Sequence, residues 1–172
     1  LSNDIKLNYG FNGTYYDFNP GTIEPIDETS NINFRQLDKK YAFEPAIYIN
    51  TEQEITSKIA VSYGLRYSLF YRLGQSNLNL YANNNPVTFN PELQIYEKAA
   101  PIGTTSFAKN DVMKRYNYLE PRFSASYQLN DKQSIKASYN RMVQYLQLVS
   151  NTSSPTPLDV WTPSDSFIKP QV

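Results

Sequence analysis

The chain of 172 residues contains no cysteine. Disulfides and thiolate metal sites are therefore excluded, and the redox compartment is silent. There is no histidine either, which removes the usual general base and the commonest metal ligand. Lys+Arg and Asp+Glu number 16 each, giving zero net charge. That balance offers no electrostatic case for nucleic acid or for an acidic ligand. No run of eighteen apolar residues exists, so no transmembrane helix is expected. The opening LSNDIKLNYG lacks an apolar h-region, so no signal peptide is expected. A Gly-rich phosphate loop, a nucleophile elbow and a metal-ligating cluster are all missing. The expectation is a protein that is not an enzyme and carries no cofactor or metal. The abrupt start and stop suggest a piece of a longer polypeptide.

What is present is aromatic. Fifteen Tyr and nine Phe sit in a chain whose mean hydropathy is −0.56. A chain polar on average yet rich in aromatics fits β structure better than helix. The stretch KIAVSYGLRYSLFYRL at 58–73 alternates along its whole length. Ile59, Val61, Tyr63, Leu65, Tyr67, Leu69 and Tyr71 fall on one face, while Ser62, Gly64, Arg66 and Ser68 fall on the other. The same period recurs at about 4–18, 39–53, 114–129 and 134–147. Short connections at 54–57 and 131–133 alternate with long ones at about 19–38, 74–113 and 150–172. The long segments are rich in Asn, Pro, Ser and Thr, the composition of loops. A three-residue loop at 131–133 pairs Asn130 with Ser134. Tyr127 then faces Ala137 and Ala125 faces Tyr139, large against small. The same parity puts Glu44 beside or diagonal to Arg66.

Two environments suit the apolar face. A soluble or surface β-sandwich, an adhesin or glycan-binding module, covers it with a second sheet. A membrane barrel turns it to lipid and encloses the polar face. The strands exceed the 9–11 tilted residues that cross a bilayer. Short turns at one end and long loops at the other are the bacterial outer-membrane pattern. Aromatics near strand ends (Tyr15, Tyr16, Phe18, Tyr41, Phe43, Tyr71, Tyr116, Tyr118) suit an interfacial girdle. Arg141 conflicts, because it falls on the apolar parity of the fifth strand; snorkelling or a bulge is needed there. The expected fold is all-β: about five long strands of a larger antiparallel transmembrane β-barrel. Five strands cannot close such a barrel.

Particular motifs sharpen this. Tyr63-Gly64-Leu65-Arg66-Tyr67 resembles the "GLRY" strand of TonB-dependent outer-membrane receptors, and Leu119-Glu120-Pro121-Arg122-Phe123-Ser124 resembles their "EPR" strand. The run SIKASYNRMVQYLQLVSNTSSPTPLDVWTPSDSFIKPQ, at 134–171, is similar to the matching strand and loop of Bacteroidota-type members. The resemblance implies a 22-stranded barrel around an N-terminal plug, seated in the outer membrane of a Gram-negative bacterium. It also implies import of a scarce siderophore, glycan or peptide, driven by the proton-motive force. The implied partners are outer-membrane lipid, the plug, a TonB-type energy transducer and a surface lipoprotein. The plug and its contact segment are missing from this sequence. A plugless pore or scaffold stays open beside import.

Candidate residues follow from the two faces. Glu44, Arg66, Glu120, Arg122 and Lys136 fall on the polar side, where they form either a solute-guiding network or structural ion pairs. Tyr81, Phe89, Tyr96 and Trp161, with Phe107 and Phe167, lie in the long loops. They either stack on a sugar or peptide or pack the loops together. The pair Asp27/Glu28 invites a glycosidase reading, but nothing places the two acids opposite one another.

Overall fold

The computed structural model describes residues 5–27, 29–30, 33–150 and 159–172. Its strands are, in chain order, β1 (Ile5–Phe18), β2 (Thr22–Ile23), β3 (Arg35–Gln36), β4 (Lys40–Thr56), β5 (Ile59–Leu73), β6 (Ser76–Leu80), β7 (Val87–Asn90), β8 (Ile95–Lys98), β9 (Gly103–Phe107), β10 (Val112–Asn130), β11 (Gln133–Asn140), β12 (Leu146–Ser150) and β13 (Asp159–Pro163). One 3-10 turn, Ala82–Asn84, is the only helical element among the described residues. Five strands in the order β1-β4-β5-β10-β11 form one antiparallel sheet.

Successive side chains of a strand alternate between faces, and the register carries that alternation across all five strands. Leu7, Thr51, Tyr63, Phe123 and Tyr139 make one continuous row on the apolar face. Tyr15, Phe43, Tyr71 and Arg115 make another near the long loops. Between these ends the apolar parity carries no charge, over 5–15 of β1, 43–53 of β4, 59–71 of β5, 117–127 of β10 and 135–139 of β11. The face is open: Tyr9 is 76% exposed, Phe11 70% and Ile47 57%. Its height follows from β5. Ile59 to Tyr71 is about 40 Å of strand at roughly 3.3 Å per residue. A tilt of about 40° brings that to roughly 30 Å, comparable to the apolar band of a membrane barrel.

The polar face is built for close approach in places. Gly10 lies opposite Tyr48, and a Cβ on Gly10 would sit 2.6 Å from the Tyr48 hydroxyl. Gly64 lies opposite Asn50 and is crowded by its side-chain oxygen. Glycine leaves the room that the larger cross-strand partner fills.

Several expectations change in detail. The first turn is Ser57-Lys58, not 54–57, with Thr56 paired to Ile59. The Thr56 hydroxyl accepts from the Lys58 and Ile59 amides at 3.2 and 3.0 Å. The second turn is Asp131-Lys132, with Asn130 paired to Gln133 and a bulge between Gln128 and Asn130. Tyr127 therefore faces Ile135, Ala125 faces Ala137, and Phe123 faces Tyr139. The expected large-against-small pairing is wrong by two positions. The faces survive because a two-residue shift preserves parity.

The fifth long strand is also shorter than expected. β11 ends at Asn140, and the Arg141 amide makes a last bond to the Pro121 carbonyl at 3.1 Å before the chain leaves the sheet. This removes the Arg141 conflict, since Arg141 no longer belongs to an apolar stripe. Alternation over 134–147 would put Tyr145 on the apolar face with Ile135, Ala137 and Tyr139; it turns instead to the polar one, against Ser68 and Phe70. The long segments are not plain loops. They hold the hairpins β6/β9, β7/β8 and β12/β13 and the small pair β2/β3. Phe89 across from Tyr96, with rings 5.2 Å apart, shows what stabilises one of them.

Candidate functional site

The polar face holds a chain of side chains contributed by four strands. Tyr16 of β1 lies opposite Ala42 and donates to a Glu44 oxygen at 2.9 Å. The other Glu44 oxygen meets an Arg66 guanidinium nitrogen at 3.1 Å. Arg66 also donates to the Asn12 oxygen at 3.1 Å, and its Nε lies 3.5 Å from Glu120. The Ser68 hydroxyl donates to the same Glu120 oxygen at 2.6 Å. One guanidinium thus holds two carboxylates. The Glu44 and Glu120 side chains are only 16% and 6% exposed. A charge withdrawn from water this far is tolerated when it is paired and hydrogen-bonded.

Parity puts Glu44 and Arg66 on one face, but the expected beside-or-diagonal placement does not hold, since Glu44 lies four positions along β4 from Tyr48, the residue opposite Arg66. Arg66 stands directly opposite Tyr48 and Glu120. Its long side chain runs along the strand to reach Glu44.

The segment after β11 covers this network from the long-loop side. Tyr145 is 3% exposed. Its ring stacks on Phe70 at 4.6 Å with the planes 3° apart, and its hydroxyl shares a hydrogen bond with Ser68 at 2.7 Å. Tyr16, Tyr116 and Tyr118 pack round the Ala42–Phe70–Tyr145 core. These three aromatics and Phe18 therefore belong to the polar face, not to the interfacial girdle expected of them. Tyr15, Phe43 and Tyr71 lie on the apolar face, in the row near the long loops. Tyr145 is the residue that sequence reasoning missed. The signal against an outward placement was already there, in Arg141 on the wrong parity.

The other expected site residues lie apart. Arg122, opposite Gly64 and Asn140, is exposed on the polar face, as is Lys136 opposite Ser126. Neither reaches the Glu44–Arg66–Glu120 network. Tyr81 packs edge-on against Phe167 at 5.6 Å, joining two long-loop segments. Phe107 pairs with Ser76 at the root of the β6/β9 hairpin. Phe89 and Tyr96 pair with each other on their own hairpin, and Tyr96 is 73% exposed. Trp161 is 53% exposed across from Leu148. The four loop candidates thus form no single surface. Asp27 accepts from the Thr29 amide at 2.9 Å and hydroxyl at 2.7 Å. Those bonds hold its carboxyl below the usual carboxylate range, the wrong direction for a general acid. Its neighbour Glu28 lies outside the described residues.

Among known families, the model of the outer membrane beta barrel domain matches residues 6–166. The chain belongs to that family. No curated protein and no solved structure matches it. The match spans all five long strands and most of the covering segment. As an outer membrane β-barrel domain the protein resides in the outer membrane, and its antiparallel sheet is part of that all-β fold. The soluble-sandwich expectation falls. No second sheet covers the apolar face among the described residues.

Proposed function

We propose that this barrel domain is wall and extracellular loop of a TonB-dependent receptor that imports a scarce ligand with the proton-motive force. The observation that carries the reading is the state of the polar face. Its long-loop half is not a hydrated channel wall. Phe70, Ser68 and Ala42 are fully buried there, and Glu120 is 5% exposed. A passive porin keeps an aqueous lumen; a polar face covered in this way supports a filled barrel, which would move ligand by rearrangement driven by an energy source. The Gly64-Leu65-Arg66-Tyr67 and Glu120-Pro121-Arg122 resemblances support the same family of receptors.

In this reading the apolar band meets lipid and the polar face lines the lumen. β1 and β11 each have one unpaired edge among the described residues, and a bare edge in lipid leaves backbone groups unsatisfied. Further strands therefore continue the wall on both sides, to about 22 in a receptor of this kind. The plug and an energy transducer act through other parts of the polypeptide, and a surface lipoprotein is the partner proposed at the long loops. This segment performs no catalysis and needs no cofactor. The ligand is a siderophore, glycan or peptide.

The test has two parts. The parent polypeptide is isolated from outer membranes, and its length and N-terminal sequence are determined. Uptake of candidate ligands is then compared in energised cells and in cells treated with a protonophore. A parent with a plug, and uptake that falls at least tenfold when the gradient collapses, is the expected result. A plugless parent, or uptake indifferent to the gradient, would replace import with a pore or scaffold.

A further inference from the structure

We propose that the outward face of the wall, where the apolar band ends below the long loops, binds the headgroup of the phosphorylated amino-sugar glycolipid of the outer leaflet, with Arg115 on its phosphate. The site follows from the outer membrane family and does not depend on energised import. Long loops lie outside in bacterial barrels, so this end of the band meets the outer leaflet. A cation without a partner stands there. Arg115 lies on the apolar parity of β10, opposite Tyr71, and is exposed. It is the next position on that parity after Asn117, where the charge-free stretch of β10 ends. Its row continues through Tyr71 and Phe43 to Tyr15, rings and not carboxylates. Among the described residues it enters no ion pair. A guanidinium takes a phosphate with two parallel hydrogen bonds, and basic groups at a bilayer surface bind anionic headgroups.

Beside this cation, toward the long loops, lies a cleft of about 410 Å³ lined by Asp38, Lys39, Tyr41, Gln75, Asn77 and Phe107. Tyr41 has the outward parity, and its ring lies 6.4 Å from that of Tyr15. Two rings offer an apolar surface to the C–H face of a sugar. A carboxylate, an ammonium and two amides supply both donors and acceptors for its hydroxyl and amide groups. Asp38 and Lys39 enter no ion pair among the described residues. The spacing suits one headgroup. Tyr41 pairs with Leu73 of β5, and Arg115 pairs with Tyr71 of the same strand. Two strand spacings of about 4.8 Å and two residues of about 3.3 Å put their Cα atoms about 12 Å apart. That is the span of a disaccharide with its phosphate at one end. Charge sets the orientation. Asp17, exposed and opposite Tyr41, and Asp38 both repel a phosphate at the cleft end. The sugar therefore enters the cleft and the phosphate meets Arg115. A phospholipid could use the cation but has no ring for the cleft.

The test uses the intact parent purified in detergent, with bound lipid counted by native mass spectrometry. The probes are lipid A, which is a phosphorylated diglucosamine glycolipid, the same lipid with its phosphates removed, and phosphatidylglycerol. Folding of each variant is checked by heat-modifiable migration. Removing the phosphates should weaken binding about tenfold, the loss of one charge-assisted contact, and Arg115→Gln should do the same to intact lipid A. Arg115→Gln should then no longer distinguish the two glycolipids. Gln75→Ala combined with Asn77→Ala should weaken both glycolipids and leave phosphatidylglycerol unchanged. Lys136→Gln removes a cation from the polar face, away from this site, and should bind as the unaltered protein does. Arg115→Gln behaving like Lys136→Gln would overturn the proposal. So would phosphatidylglycerol binding as tightly as lipid A, which would reduce the site to a general anion contact. The assay needs no gradient, so it can fail while import stands, and import can fail while the lipid site stands.

Discussion

Leu65→Arg should abolish assembly of the barrel in the membrane, while Ser62→Arg, three residues earlier on the same strand, should leave it intact. Leu65 lies on the charge-free parity of β5, between Ile49 and Pro121 on the neighbouring strands. It stands midway between the rows that carry Ile59 and Tyr71, so it sits near the centre of the apolar band. An arginine near the bilayer midplane costs about 2–4 kcal/mol on the lipid face of a barrel. That corresponds to a loss of roughly 30- to 1000-fold in the folding equilibrium. Neighbours offer no relief, because no anion lies on this parity within the band. Ser62 faces the other way, opposite Glu52 and Ser124, where a new guanidinium finds a carboxylate and water. Both variants are read by heat-modifiable migration of the parent in outer membranes, followed by urea unfolding in lipid vesicles. Equal loss in the two variants would mean that both faces meet the same medium.

Arg66→Met should be the most damaging single change on the polar face. Arg66 holds Glu44 at 3.1 Å and Glu120 at 3.5 Å. Without it two largely buried carboxylates share a site with no cation. Breaking a buried pair by removing one partner costs about 3–5 kcal/mol, because the remaining charge stays desolvated. Two orphaned acids place this case at the upper end of that range. Adding Glu120→Gln to Arg66→Met should recover part of the loss, since the amide keeps a partner for the Ser68 hydroxyl and carries no charge. The double-mutant cycle in vesicle unfolding isolates the coupling. Independent, additive effects of the two substitutions would show that the pair is only a surface contact.

How much of this was legible beforehand follows from what kind of information each feature needs. The two faces of 58–73 depend only on parity, and parity is local. The same is true of Glu44, Arg66 and Glu120 lying on one side. Register is less local. The Asn130–Ser134 pairing failed because a bulge between Gln128 and Asn130 and a two-residue turn at Asp131-Lys132 decide the offset, and in that turn the Asn130 side-chain oxygen accepts from the Lys132 amide at 2.9 Å. Position along a shared face is less local still. Arg66 reaches Glu44 by running along the strand, which parity cannot show. Tyr145 was misplaced because alternation was extended past Asn140. The stack on Phe70, 75 positions earlier in the chain, outweighs another turn of regular strand. The hairpins inside 74–113 were missed for a compositional reason: Asn, Thr and Ser dominate there, and cross-strand pairs such as Phe89–Tyr96 are few.

The central claim is that one face of this sheet meets lipid and the other an enclosed polar interior. The most direct measurement is a single-thiol spin-label scan of 59–73 in the intact parent, reconstituted in vesicles. Collision with oxygen, which concentrates in lipid, is compared with collision with a polar nickel chelate. The expected result is a period of two, with 61, 63, 65, 67 and 69 high in oxygen and low in nickel. The intervening positions should be low in oxygen, and 68 and 70, beneath the covering segment, low in both. An oxygen profile without that period, or one with the even positions high, would contradict the account.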